Sequence, residues 1–136
     1  MAGSTDIRVR FEPDDVALSR LHRAAFGGHE DGVAPWTARL AQHSLTWVGA
    51  FRSGEVVAFV NVCWDGGVHA FLMDTVVHPD HQRQGLGKAI VARAAGAAAE
   101  SGCHWLHVDY QPPLADFYAG ACGFRSTDAG LLRLTR

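Results

Sequence analysis

The chain has 136 residues, 48% apolar and 19% charged, with a formal net charge of −2. That length buries a core without disulfide or metal staples, and the composition is that of a globular protein expected to form one domain over residues 1–136. The balanced charge gives no basic field to attract nucleic acid. No apolar run approaches the roughly 20 residues that a membrane helix needs.

Cys63, Cys103 and Cys122 are odd in number, far apart and free of CxxC or Cys/His spacing. They therefore read as reduced thiols of a cytoplasmic protein with no metal site. Met1–Asp6 lacks the charged and apolar regions of a signal peptide.

Ile7–Phe11 alternates apolar and charged residues, which predicts a first strand. Pro13-Asp14-Asp15 opens a helix whose apolar side is Val16, Leu18, Leu21 and Phe26, and Gly27-Gly28 stops it. Pro35–Ala41 follows as a short second helix. Leu45–Phe51 and Val56–Trp64 read as strands joined by a hairpin at Arg52-Ser53-Gly54-Glu55. After Asp65-Gly66-Gly67 comes a strand over Val68–Val77, then an Ala-rich helix over Leu86–Ser101 closed by Gly102. Trp105–Tyr110 predicts a strand, Leu114–Cys122 a short helix and Leu131–Leu134 a last strand. The order β-α-α-β-β-β-α-β-α-β is that of an α+β fold: a mostly antiparallel meander followed by one parallel crossover. It does not suit a doubly wound nucleotide fold.

Between the third of the central strands and the Ala-rich helix lies His78-Pro79-Asp80-His81-Gln82-Arg83-Gln84-Gly85-Leu86-Gly87-Lys88, which holds the chain's only lysine. A glycine turn opening a helix offers free backbone N–H groups at the positive end of the helix dipole, where a pyrophosphate binds. Gly85 and Gly87 allow a sharp turn and a close approach to a ligand. A Walker loop would need glycine where Gln82 stands and Ser or Thr where Ala89 stands. A dinucleotide fingerprint would need glycine at Ile90. What fits is Gln82-x-x-Gly85-x-Gly87 after a strand ending Val76-Val77.

This pattern resembles the GNAT superfamily of acyl-CoA-dependent N-acetyltransferases, whose signature is (Gln/Arg)-x-x-Gly-x-(Gly/Ala). The chain also carries Phe117-Tyr118-Ala119-Gly120-Ala121-Cys122-Gly123-Phe124. This is similar to the family's Phe-Tyr-x-x-x-Gly-Phe block, with one extra residue after the tyrosine. The resemblance implies a three-layer fold, with the mixed sheet flanked by helices. It also implies acetyl-CoA as co-substrate and direct attack by a primary amine within a ternary complex.

By the same resemblance, backbone N–H groups across Arg83, Gln84, Gly85, Leu86, Gly87 and Lys88 hold the pyrophosphate, in the loop that Gln82 opens. Val76 and Val77 pair with the pantetheine arm like an added strand, and an N–H there steadies the developing oxyanion. Tyr118 is the implied acid for the departing thiolate. Gln111 stands where many relatives have an asparagine that contacts pantetheine.

The base is open among three residues. Asp74 is an acid in an apolar run; Asp109 and His107 are its rivals, and water is a further route. Alternation puts Asp74 on the face opposite Met73 and Thr75, unless a bulge upsets the parity. Glu30 and Asp31 are candidates to attract a cationic amine, and Trp36 to wall the acceptor. The acceptor is read as a small-molecule amine, aminoglycoside-like or polyamine-like. The alternatives are a peptide or protein N-terminus, or a non-catalytic acyl-CoA-binding module. Family resemblance adds a homodimer.

Overall fold

The computed structural model describes residues 4–27 and 32–136. Five strands, β1 (Asp6–Val9), β2 (Ser44–Arg52), β3 (Glu55–Trp64), β4 (His69–Val77) and β5 (Trp105–Val108), form one sheet in that spatial order. All neighbouring pairs are antiparallel except β4–β5. Helices α1 (Asp15–Phe26) and α2 (Trp36–His43) cover one face, and α3 (Leu86–Glu100) covers the other. The three layers and the mixed sheet agree with the α+β expectation.

Each element starts and stops for a local reason. The Asp14 carboxylate caps α1 by accepting from the Ala17 N–H at 3.0 Å, and Gly27 ends it at φ +74°. In the β2–β3 hairpin both Ser53 (φ +50°) and Gly54 (φ +78°) are left-handed, the geometry of a turn whose twist matches its strands. Gly102 closes α3 at φ +96°. Alternation along the central strands then fills two cores. Trp47 and Phe59 join Leu18, Leu21, Trp36, Leu40 and Val76 beneath α1 and α2. Val48, Val60 and Val62 join Ile90, Val91 and Ala94 beneath α3.

Three expectations are corrected. The strand over Leu131–Leu134 does not form, and Leu131, Leu132 and Leu134 are exposed. A run this short is a strand only when it pairs with a sheet edge, and the outer edge of β5 has no partner strand among the described residues. The helix over Leu114–Cys122 is instead a 3₁₀ turn at Pro112–Leu114 followed by a π-helix at Asp116–Ala121. On α1 only Leu18 and Leu21 of the expected apolar side are buried, while Val16 and Phe26 face solvent.

A clasp joins α1 to α2. Asp15 Oδ1 accepts from both the backbone N–H and the hydroxyl of Thr37, each at 2.7 Å. These bonds hold the Asp15 carboxyl below its ordinary range, the hydroxyl contributing most. A carboxyl lowered in the folded state stabilises it above the unfolded pKa, and that gain is lost as pH falls through the folded value. Asp15→Asn is therefore expected to lower Tm at neutral pH, with the gap closing below about pH 4. Thermal unfolding followed by circular dichroism across that range checks this; a gap that does not change with pH would refute the charge effect.

Candidate active site

The β4–β5 ladder runs only from the His69–Trp105 pair to the Leu72–Val108 pair. On its other side β4 stays paired with β3 as far as Val77. From Met73 to Val77, then, β4 has a strand partner on one side and an opening on the other. Two adjacent parallel strands that part in this way expose backbone donors and acceptors that a linear, amide-containing ligand is able to pair with.

A bulge lies beside the opening. Between the Asn61–Met73 and Phe59–Val76 pairs, Asp74 and Thr75 stand opposite Val60 alone, and Asp74 is left-handed at φ +59°. The bulge breaks the simple alternation and turns the Asp74 carboxylate toward α2. There Oδ2 accepts from Arg39 Nη2 at 2.8 Å and from Asn61 Nδ2 at 3.1 Å. Asn61 has no solvent exposure. Its own oxygen accepts from the Ser44 hydroxyl at 2.5 Å, so this buried amide is bonded at both ends. Asp74 Oδ1 takes part in neither of the two bonds.

Tyr118 stands at the opening from the α3 side. It is buried, with its ring stacked on Tyr110 at 5.1 Å and edge-on to Phe117 and Phe124. Burial raises its pKa, and a hydrogen bond with the Thr75 side chain pulls the other way. The phenol thus touches the bulge of β4 and the chain just beyond β5, and it stays protonated at neutral pH. The π-helix explains how the extra residue fits. The Cys122 N–H reaches the Phe117 carbonyl at 2.9 Å, a five-residue step that takes up one additional residue in a helical turn. The Phe124 N–H then bonds the Tyr118 carbonyl at 2.9 Å around left-handed Gly123.

The two glycines of the loop have different tasks. Gly85 caps α3 at φ +79° with open space around it, so its value is conformational. Having no side chain, it leaves the first-turn amides of Leu86, Gly87 and Lys88 without a cap, as an anion site requires. Gly87 is inside the helix, where a Cβ would meet Phe117 at 3.1 Å, so its value is packing. Arg83 is also left-handed at φ +62° and, like Gln84 and Lys88, exposed. Arg83 and Gly85 are thus both left-handed just before the first turn of α3. Gln82 does not face outward to a ligand; its Nε2 donates to the Val77 carbonyl at 3.2 Å and fastens the loop to the end of β4.

The remaining candidates are distributed as follows. Val76 is buried beneath α1 and α2, and Val77 packs against the α3 core beside Gly87. Gln111 is exposed, and its carbonyl receives the Leu114 N–H. Asp109 is exposed just past the end of β5. His107 is stacked on Phe71 and hydrogen-bonded to His69 at 2.7 Å, on the paired part of β5 below the opening.

Trp36 is a core residue and not an open wall. It stacks on His22 at 4.4 Å and meets Phe59 edge-on, because α2 begins by burying its first residue. Its upper side supports Arg39, whose guanidinium lies 4.7 Å from the ring centre. Glu30 and Asp31 lie outside the described residues. A cleft of about 330 Å³ between α3 and the chain after the π-helix is lined by Lys88, Val91, Ala92, Leu106, Cys122 and Phe124. Burial raises the Cys122 thiol, with Lys88 opposing, so it is not an activated nucleophile. Among the described residues no three His, Cys, Asp or Glu side chains gather to hold a metal ion, and no helix is long and apolar enough to cross a membrane.

Sequence reasoning missed Arg39, Asn61 and Arg52, which reach the site from other elements. Asn61 left a signal, a lone amide in the apolar run Val56–Cys63. The two arginines left none.

Two substitutions separate the roles of the glycines. Gly85→Ala is expected to cost about 1–2 kcal/mol through its left-handed backbone while leaving packing intact. Gly87→Val crowds Phe117, costing about 1–3 kcal/mol, and perturbs the near-ultraviolet signal of the adjoining Tyr118. Denaturant unfolding with near-ultraviolet circular dichroism measures both. Parent-like stability of Gly87→Val would refute the packing role.

Comparison with known proteins places these features in a family. Residues 15–124 match the acetyltransferase (GNAT) family. A mycothiol acetyltransferase of Mycolicibacterium vanbaalenii is 29% identical over 89 residues, which cover 62% of this chain and 30% of the relative. The chloroplastic GCN5-related N-acetyltransferase 1 of Arabidopsis thaliana is 33% identical over 92 residues, covering 66% and 46%. The chain thus spans less than half the length of either relative. An aminoglycoside N-acetyltransferase solved with CoA superposes with a TM-score of 0.75 at 20% identity, covering 100% of this chain and 97% of that one. With 110 consecutive residues matched, from α1 through the Tyr118 block, the chain belongs to the acetyltransferase (GNAT) family.

Proposed function

We propose that this chain transfers an acetyl group from acetyl-CoA to a primary amine of a small molecule, by direct attack in a ternary complex. The observation that carries the reading is the parting of β4 from β5, with Tyr118 on one side and the Asp74–Arg39–Asn61 group on the other. Acetyl-CoA supplies the activated acyl thioester. The uncapped first turn of α3 and the left-handed residues before it hold the pyrophosphate. The open edge of β4 at Val76 and Val77 pairs with the pantetheine arm, with Gln111 on the far lip. A backbone N–H of that edge receives the developing oxyanion.

Tyr118 hands its proton to the departing sulfur, and its raised pKa keeps that proton in place until the thiolate forms. Asp74 Oδ1 receives the substrate ammonium, orients it and takes its proton directly or through water. Arg39 and Asn61 keep the other oxygen occupied. The naming of relatives as mycothiol and aminoglycoside acetyltransferases supports a small-molecule acceptor. Residues 1–136 acting as one domain, a cytoplasmic location and a homodimer complete the reading; sedimentation tests the last.

Thiol release from acetyl-CoA across a panel of aminoglycosides, polyamines and peptides tests the activity. CoA binding without release on any amine favours a non-catalytic module, and absence of CoA binding overturns both. Tyr118→Phe is expected to lower kcat by about 10²-fold with unchanged CoA affinity. Because the active form is the protonated phenol and its pKa is raised, the deficit stays constant from about pH 7 to 9. Asp74→Asn is expected to lower kcat/KM for the amine most at neutral pH. Its deficit narrows toward about pH 10, where the amine is already neutral; a uniform deficit would assign Asp74 to orientation alone.

A further inference from the structure

The loop that receives the pyrophosphate is held by a side chain from the far end of β2. Arg52 ends β2, immediately before the hairpin turn, and is remote in sequence from the loop. Its Nη1 donates to the Gln84 side-chain oxygen and lies 3.2 Å from His81 Nδ1, while its Nε donates to the Thr5 hydroxyl at 3.0 Å. The two loop contacts fall on either side of Arg83, the non-glycine residue held at φ +62°. Left-handed backbone at such a residue is unfavourable on its own and persists only where its surroundings determine it. Other bonds tie the loop toward β4, and among the described residues none of them reaches Gln84. The His81 N–H bonds the His78 carbonyl at 2.8 Å. Gln82 ties it to Val77, and His78 Nδ1 accepts from the Asp80 N–H.

We propose that Arg52 is a positioning residue for cofactor binding, whose planar guanidinium pins His81 and Gln84 so that the turn around Arg83 is formed before the pyrophosphate arrives. The inference rests on the acetyl-CoA reading of the loop. Nη1 serves both loop side chains while Nε, in the same rigid plane, is anchored on Thr5, so the guanidinium fixes the loop relative to the start of β1 in a way that a freely turning ammonium does not. It also places a permanent positive charge behind a loop that must accept a dianion. Preorganisation of this kind lowers the ordering cost that binding otherwise carries, so its loss appears in affinity.

The test measures CoA affinity by calorimetry for the parent chain, Arg52→Ala, Arg52→Lys and Gln84→Ala, and compares acetyl-CoA with S-acetyl-pantetheine, which lacks the pyrophosphate. Arg52→Ala is expected to weaken CoA binding about tenfold or more, with Arg52→Lys between it and the parent. Affinity for S-acetyl-pantetheine stays within about twofold, and Gln84→Ala adds little in the Arg52→Ala background. Hydrogen exchange of the amides of residues 82–85 is expected to quicken in Arg52→Ala while those of residues 90–98 keep their rates. Unchanged CoA affinity in Arg52→Ala overturns the proposal, as does an equal loss for both ligands, which would mark a general structural role. A parent chain that binds no CoA overturns the cofactor reading itself, and with it this proposal.

Discussion

The bulge at Asp74 and Thr75 is the constraint on which the site depends. A regular β4 would keep Asp74 on the side that alternation assigns it, away from Met73 and Thr75. With the extra residue, β4 bends, its pairing with β5 ends at Leu72, and the open edge from Met73 to Val77 appears beside a reoriented carboxylate. A left-handed aspartate is unfavourable backbone, so something must hold it. The donors on Oδ2, one from a fully buried amide and one from a guanidinium lying on Trp36, fulfil that role. The packing of α2 and the opening of the sheet are thus one arrangement.

The order of the elements was legible because its signals are local. Alternation marked the strands, Ala-rich composition marked α3, and glycines marked the turns where positive φ was needed. Asp74 stood out because a carboxylate in an apolar strand has to be explained. What could not be read has a different physical origin. Arg39 and Arg52 become significant only when the chain brings them to partners 35 and 29–32 residues away. Trp36 is aromatic and near a helix start, which fits a ligand wall and a core anchor equally well in sequence; only three-dimensional packing separates the two. The π-helix was not foreseen, although the extra residue after Tyr118 was visible, because spacing alone does not say whether an insertion loops out or widens a turn. The run Leu131–Leu134 shows the converse error, an apolar pattern that stays off the free edge of β5.

The two halves of the site are built from different materials, and the difference follows from what each must recognise. The cofactor half is mainly backbone: uncapped amides of α3, left-handed residues before it and an open strand edge. These groups suit a large, invariant ligand with a dianionic centre and a peptide-like arm. The proposed acceptor half is made of side chains from α2, β3 and β4, the same ones that hold the bulge. A guanidinium at Arg39 beside the Asp74 carboxylate also leaves that half with little net charge. An ammonium that enters must therefore be held by the geometry of one carboxylate oxygen and not by a broad negative field. On the proposed reading, such a site selects an amine by where it sits relative to the rest of its molecule.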